Sequence, residues 1–188
     1  MNDIRGVLFD ADGTLIDTYD IILTSMRYAV NDVLGCSLDD AELMAGVGTP
    51  LYDQMLHFTG GDETRATEIT QIYRDHNDGV HDARIRAFGD TKAALERFQA
   101  AGIPMGVVTS KRHAMAQRGL EMSGIAGYFQ FLIGHDDWPE HKPAPGPILR
   151  GCELLGTAPE RSLYVATAPS TSRRATLLAA LPSPPSGA

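Results

Sequence analysis

Cysteine is scarce: Cys36 and Cys152 are the only two in 188 residues. They lie far apart and form no Cys-x-x-Cys pair, which excludes a disulfide framework and makes a reducing, cytoplasmic compartment the expectation. No stretch approaches the roughly 20 apolar residues of a membrane span. The opening MNDIRGVLFD has neither the apolar run nor the small-residue cleavage site of a secretory leader. Basic residues are also few, 16 Lys+Arg against 24 Asp+Glu, a net charge of −8. A broad nucleic-acid or anionic-membrane surface is therefore disfavoured, because phosphate backbones need basic faces. A small phosphorylated metabolite met by a few local donors remains compatible with that balance. The six histidines (57, 76, 81, 113, 135 and 141) show no zinc-ligand spacing. The single Trp138 reads as a packing residue. What is present is ordinary for a globular chain, 43% hydrophobic and 21% charged, long enough to bury a core as one domain or one domain with an insertion.

Gly6-Val7-Leu8-Phe9 is a short apolar run ending in Asp10, as expected of a buried strand, and Asp12-Gly13 supplies a turn. From Asp17 the period changes: Ile21, Ile22, Met26, Ala29, Val30 and Val33 recur at helical spacing up to Gly35. Ser37 is the expected N-cap of the next helix. Gly46-Val47-Gly48-Thr49-Pro50 breaks it, and residues 50–59 and 63–80 read as two further helices. Strand and helix then alternate: a helix over 90–101, a strand over 103–108, a helix over 112–123, a strand over 129–133, a helix over 145–155 and a strand over 162–165. That order predicts an α/β fold with a doubly wound parallel sheet, over about 1–16 and 83–165, and a helical insertion at 17–82 after the first strand. In 166–188, Arg173 to Leu181 has room for two helical turns, and the Pro-rich LPSPPSGA is expected to be disordered.

Ligands of open α/β sheets bind beyond the carboxyl ends of the strands. Asp10, Asp12 and Thr14 follow the first strand, and Thr109, Ser110 and Lys111 the second. After the third come Gly134, His135, Asp136 and Asp137, and then His141-Lys142-Pro143. A carboxylate can attack phosphorus to give an aspartyl-phosphate, and a second one nearby can pass a proton to the leaving oxygen and later take one from water. A hydroxyl and an ammonium can hold the phosphoryl oxygens, and Mg²⁺ prefers such hard oxygen ligands. The plainer readings are turn and cap residues for the aspartates, a structural strand-end Thr109 and a solvated Lys142. A calcium loop is disfavoured because a strand, not a helix, enters Asp-x-Asp-Gly and no third acid precedes Gly13.

VLFDADGTLID, with Asp10, Asp12 and Thr14, resembles the first motif of the haloacid dehalogenase superfamily. Thr109 at the end of VVT resembles its second motif, and Lys142 of HKPAP its third. The insertion resembles that superfamily's small helical cap. The segments DTYDIILTSMRYAVNDVLG, GVGTPL and AFGDTKAAL resemble its phosphoglycolate phosphatase and pyrophosphatase branch. The resemblance, over residues 4–165, implies a Rossmannoid core and Mg²⁺-dependent hydrolysis of a small phosphate ester or of pyrophosphate. It implies Asp10 as nucleophile, Asp12 as general acid and base, and Thr109 and Lys142 as phosphoryl holders. It further implies Mg²⁺ on the Asp10 carboxylate and the Asp12 main-chain carbonyl. Thr14, Ser110, Lys111, Gly48 and Thr49 are the expected substrate contacts, with substrate choice residing near Gly46–Pro50 and in Lys111 or Arg112. The alternative for 46–50 is a plain helix–helix turn. Asp12 argues against the dehalogenases, which lack a second carboxylate. Ile22, in the slot of a cap histidine, argues against the phosphoglucomutases. A receiver domain lacks a helical insertion after its first strand.

The family's fourth motif, Gly-Asp-x-x-x-Asp, is missing after Leu163-Tyr164-Val165; Thr167 and Thr171 stand where its aspartates belong. One metal-binding carboxylate and its supporting partner are thereby lost. One guanine placed before a back-translation of Ala166 to Leu181, with wobble positions chosen freely, lets it read GDSPLDIQAGNAAGCP, a well-formed fourth motif. A frameshifted or truncated, catalytically impaired chain that binds phosphate weakly is therefore the second functional expectation, beside a divergent end.

Overall fold

The computed structural model describes residues 4–167 and 176–180. Strands β1 (Gly6–Phe9), β2 (Met105–Val108), β3 (Leu132–Ile133), β4 (Ser162–Thr167) and β5 (Thr176–Ala180) form one sheet in the order β3-β2-β1-β4-β5. The pairs among β1 to β4 are parallel. The first strand is therefore the middle of the sheet, with its neighbours reached by crossovers on opposite sides. That is the topological switch point at which such sheets bind ligands.

All four residues of β1 are buried because both faces are covered. Val7 and Phe9 join one apolar cluster with Leu95 of α5 (Thr91–Ala100) and Leu120 of α6 (His113–Met122). Leu8 joins the other, with Ile148, Cys152 and Leu155 of α7 (Gly146–Leu155), as alternation along a strand requires. Helix α7 comes close enough that a Cβ on Gly151 would lie 2.8 Å from Leu8 Cδ1.

Between β1 and α5 the chain builds a separate helical body. Helix α1 (Tyr19–Met26) runs on into a π-helical stretch, Arg27–Val33, and is followed by α2 (Asp40–Met44), α3 (Leu51–Phe58) and α4 (Glu63–Arg84). Leu23, Met26, Val30, Leu43, Met55 and Ile69 pack together inside it. It joins the core through two crossing segments: Asp17 N–H donates to Arg86 O (2.9 Å) and Phe88 N–H to Leu15 O (3.2 Å). Among the described residues no helix is long and apolar enough to cross a membrane.

Three expectations are corrected. The cap of α2 is Asp39, not Ser37: Asp39 Oδ1 accepts from Glu42 N–H (2.9 Å) and Glu42 Oε2 from Asp39 N–H (2.8 Å). Only Asp39 has a glutamate three residues on to complete this box. The third strand proper is two residues long, although Gln130 N–H still donates to Met105 O (2.9 Å) and Val107 N–H to Phe131 O (3.1 Å); ahead of it Phe129 packs edge-on against Phe9 with ring centroids 6.0 Å apart and Phe131 covers the bare face of Gly106. The helical turns expected at 173–181 are absent over Thr176–Ala180, which instead pairs antiparallel with β4 from Leu163↔Ala180 to Thr167↔Thr176. The open side of β4 offered a full row of backbone partners. The rest of the aberrant tail, with the expected disorder of its Pro-rich end, lies outside the described residues, as does Thr171.

Candidate active site

Asp10 is the first residue past β1, its N–H still bonded to Val165 O (2.9 Å). The chain then turns tightly: Ala11 O accepts from the N–H groups of Thr14, Leu15 and Ile16, and Gly13 N–H donates to Ile16 O. Gly13 adopts φ +73°, a conformation that suits glycine best. The turn places Asp10 and Asp12 together at the carboxyl edge of the sheet.

Each carboxylate meets a lysine from a different strand end. Lys142 Nζ donates to Asp10 Oδ2 (2.7 Å) and Lys111 Nζ to Asp12 Oδ1 (3.1 Å). These side chains are only 13–23% exposed, so the pairs are poorly screened by solvent. The other Asp10 oxygen accepts from Ala11 N–H (2.8 Å). Lys142 also donates to Tyr164 OH (2.9 Å), and that hydroxyl donates to Val108 O (3.3 Å), which fixes where the ammonium sits. Burial first, and then the Asp10 charge, push the Tyr164 phenol well above its ordinary pKa. Tyr73 on α4 is shifted the same way, by burial and then by Asp12. Both phenols stay protonated.

A cavity of about 1000 Å³ lies between the helical body and this edge, lined by Asp10, Asp12, Thr109, Ser110 and Lys111 on one side and by Gly48, Thr49, Gln54, Tyr73 and Arg74 on the other. Lys142 borders a niche of about 10 Å³ on the far side of Thr109 and Ser110. Ser110 Oγ donates to Gly48 O (2.8 Å), the contact that brings the 46–50 loop onto the core. The hydroxyl of Thr49 is spent within its own loop, on Gly46 O (2.7 Å). Thr14 does not belong to the cavity wall, contrary to expectation. Its hydroxyl accepts from Thr167 N–H (3.0 Å) and faces Thr167 Oγ1 (3.1 Å), tying the first turn to β4.

His135 lines the cavity and stacks on His141 with centroids 3.9 Å apart. Partial burial, and then His141, lower its pKa. Asp136 accepts from His113 N–H (2.7 Å); that bond, ahead of the opposing effect of burial, holds its carboxyl below the ordinary range. Tyr164 and Arg74 did not emerge from the sequence. A phenol within Leu-Tyr-Val reads as strand core, and an arginine on a helix reads as solvated.

The oxygen donors at this edge suit a divalent cation only in part. Asp10 and Asp12 are the expected ligands, and Thr167, which stands where an aspartate of the fourth motif is expected, offers only a neutral hydroxyl that donates to Gly13 O (2.7 Å). Among the described residues no group of three or more His, Cys, Asp or Glu side chains could hold a metal. Such a set fits a weakly held cation that shares the oxygens of a phosphorylated substrate, as Mg²⁺ commonly does.

Residues 7–169 match the family model described as "Haloacid dehalogenase-like hydrolase". The chain is 38% identical to "Putative pyrophosphatase PpaX" of Clostridium perfringens over 88% of this chain and 76% of that one. It is 35% identical to "Pyrophosphatase PpaX" of Oceanobacillus iheyensis over 86% of this chain and 74% of that one. The crystal structure of the "Putative haloacid dehalogenase-like hydrolase" of Bacteroides fragilis superposes with a TM-score of 0.81 at 26% identity, over 88% of this chain and 79% of the other.

Proposed function

The chain belongs to the haloacid dehalogenase-like hydrolases, and from that membership we propose that it hydrolyses a small phosphate compound, pyrophosphate or a phosphoglycolate-like ester, through a phosphorylated Asp10. The observation that carries this reading is the pairing of two carboxylates at the sheet edge with two lysines beside a cavity of about 1000 Å³. An Asp10 oxygen attacks phosphorus as the bond to the leaving oxygen breaks, and Asp12, protonated, gives its proton to that oxygen. Asp12, now ionised, takes a proton from water; the water oxygen attacks phosphorus and the aspartyl P–O bond breaks. Orthophosphate leaves and Asp10 is restored.

Lys142, held by Tyr164, offsets the charge of a phosphate approaching Asp10, and Lys111 does so on the Asp12 side. Thr109, with Lys111 N–H directed at its hydroxyl (3.3 Å), offers a further phosphoryl contact. The helical body acts as a cap over residues 1–16 and 83–165 that excludes water when closed. The family generally uses a divalent metal. Mg²⁺ would suit these oxygens best; the Asp10 carboxylate and the Asp12 main-chain carbonyl would hold it, and it would supply counter-charge to the phosphoryl oxygens.

Thr167 favours a second reading, a phosphate binder of low turnover, because it leaves the cation one carboxylate short. Phosphate release from pyrophosphate and phosphoglycolate, with and without Mg²⁺, decides between the two. Hydrolysis that vanishes in Asp10→Asn supports the first. Binding of orthophosphate without any turnover supports the second.

A further inference from the structure

Several polar side chains on the cap wall of the cavity bond within the cap itself. Gln54, Thr49 and Asn77 all line the cavity, yet each turns a donor inward: Gln54 Nε2 to Thr49 O (3.0 Å), Thr49 Oγ1 to Gly46 O (2.7 Å) and Asn77 Nδ2 to Ser25 Oγ (3.3 Å). Tyr73 on α4 differs. Its ring belongs to the apolar interior of the helical body, with Met26 and Ile69, and the residue is only 8% exposed. It nevertheless lines the cavity, and its hydroxyl has no hydrogen-bond partner among the described residues.

The charge that acts on this phenol is that of Asp12, on the sheet side of the same cavity. Asp12 is the expected general acid, and its own partner, Lys111, comes from the core. A hydroxyl buried to this degree and left without a protein partner points to a group that enters the cavity. Burial and the Asp12 charge both disfavour ionisation of the phenol. Tyr73 is therefore suited to donate a hydrogen bond to an entering oxygen, and unsuited to act as a base.

We infer that the Tyr73 hydroxyl donates a hydrogen bond to the leaving oxygen of the substrate, the same oxygen that Asp12 protonates, so that the cap supplies a catalytic group to the core. As the bond between phosphorus and that oxygen breaks, the electron pair passes to the oxygen. Asp12 gives its proton there, while the phenol keeps its own and stabilises the charge that builds up. That contribution grows with the charge on the oxygen, so a basic leaving group needs Tyr73 more than an acidic one. This assignment rests on the transfer through Asp10 proposed above.

The test is a series of aryl phosphates, from p-nitrophenyl to p-methoxyphenyl phosphate, given with Mg²⁺ to the full chain and to Tyr73→Phe, which keeps the ring and removes the hydroxyl. The variant should lower kcat/KM less than about threefold for the weakly basic p-nitrophenolate. For the more basic p-methoxyphenolate the loss should be about tenfold or more, the worth of a hydrogen bond to a developing charge. Methylphosphonate, which has no leaving oxygen, should bind the variant within about twofold of the unaltered protein by calorimetry, and that binding also reports an intact fold. Tyr28→Phe, at an exposed phenol stacked on His76, should leave both rates unchanged. Equal losses across the series, or none, overturn the inference. So does weakened methylphosphonate binding in Tyr73→Phe, which makes Tyr73 a residue that shapes the site. If the chain hydrolyses no member, or hydrolyses them equally well as Asp10→Asn, the transfer through Asp10 fails and this assignment with it; if hydrolysis needs Asp10 but its dependence on the leaving group is the same in Tyr73→Phe, the role of Tyr73 alone fails.

Discussion

Asp10 and Asp12 are two residues apart and carry the same group, yet their surroundings prepare them for different work. Asp10 is held from both sides, by Lys142 and by Ala11 N–H, so one of its oxygens is fixed at the cavity edge. Asp12 is the more exposed of the two and meets only Lys111, and it lines the cavity where a leaving oxygen would sit. Asp12→Asn should accordingly lower kcat by roughly 10²-fold or more with little change in KM, the scale of general acid–base catalysis; steady-state kinetics checks this. Tyr164→Phe keeps the ring and removes the hydroxyl that positions Lys142, so kcat should fall by a smaller factor of about tenfold, with an unchanged circular dichroism spectrum. Thr167→Asp adds the missing carboxylate beside Gly13 and should raise Mg²⁺ affinity about tenfold or more, measured by calorimetry. The sequence placed Asp10, Asp12 and Thr109 at the edge of the sheet because they follow apolar strand runs, whereas Lys142 lies in the loop beyond Ile133 and was singled out by the resemblance of HKPAP. A hydroxyl beside a site can also tie two segments together, and here Thr14 accepts from Thr167 N–H. Arg74 was hidden because its place on the cavity wall depends on where α4 lies over the sheet, which helical periodicity does not encode.

At the scale of elements, the strand runs and helix periods in the sequence located nearly every core element, because β1 and β2 are buried on both faces and their apolar runs are bounded by turns; β4 is fully buried only at Ser162 and Val165. The exceptions have local causes. The third strand proper is Leu132–Ile133, with backbone bonds to β2 reaching back to Gln130, and the last strand, Thr176–Ala180, is a five-residue run that pairs along β4. The start of α2 moved two residues because the reciprocal bonds of Asp39 and Glu42 outweigh a lone serine cap. Removing that box with Asp39→Ala should cost about 1 kcal/mol, read from urea unfolding followed by circular dichroism. The 46–50 loop is both a turn between helices and the cap's contact with the core. Ser110→Ala deletes the bond to Gly48, so amide exchange of residues 46–50 should quicken by about twofold to tenfold, the worth of one partly exposed hydrogen bond.

Taken whole, the molecule is a sheet that presents two carboxylates and a helical body that closes a cavity over them. Its acid response follows from Asp82, Asp136 and His135, the last of which lines that cavity. Asp82 is held below the ordinary carboxylate range, first by its bond from His81 and also by Arg118, and Asp136 by His113 N–H. A depressed carboxylate gives stability that is present above about pH 4, its unfolded pKa, and is lost as pH falls through the folded value. His135, also depressed, acts earlier: below about pH 6.5 the unfolded chain takes up its proton first, so stability begins to fall there. Urea midpoints should thus be level from pH 8 to 7, decline slightly below about 6.5 and drop more steeply below about 4; His135→Gln should remove the first decline and leave the second. The central claim, that the phosphoryl group passes through Asp10, is tested most directly by mass spectrometry of protein quenched in acid during turnover of pyrophosphate. The account predicts a phosphoryl mass increase on the peptide containing Asp10, lost in Asp10→Asn together with phosphate release. Turnover retained in Asp10→Asn, or a phosphoryl group found on any other residue, contradicts it.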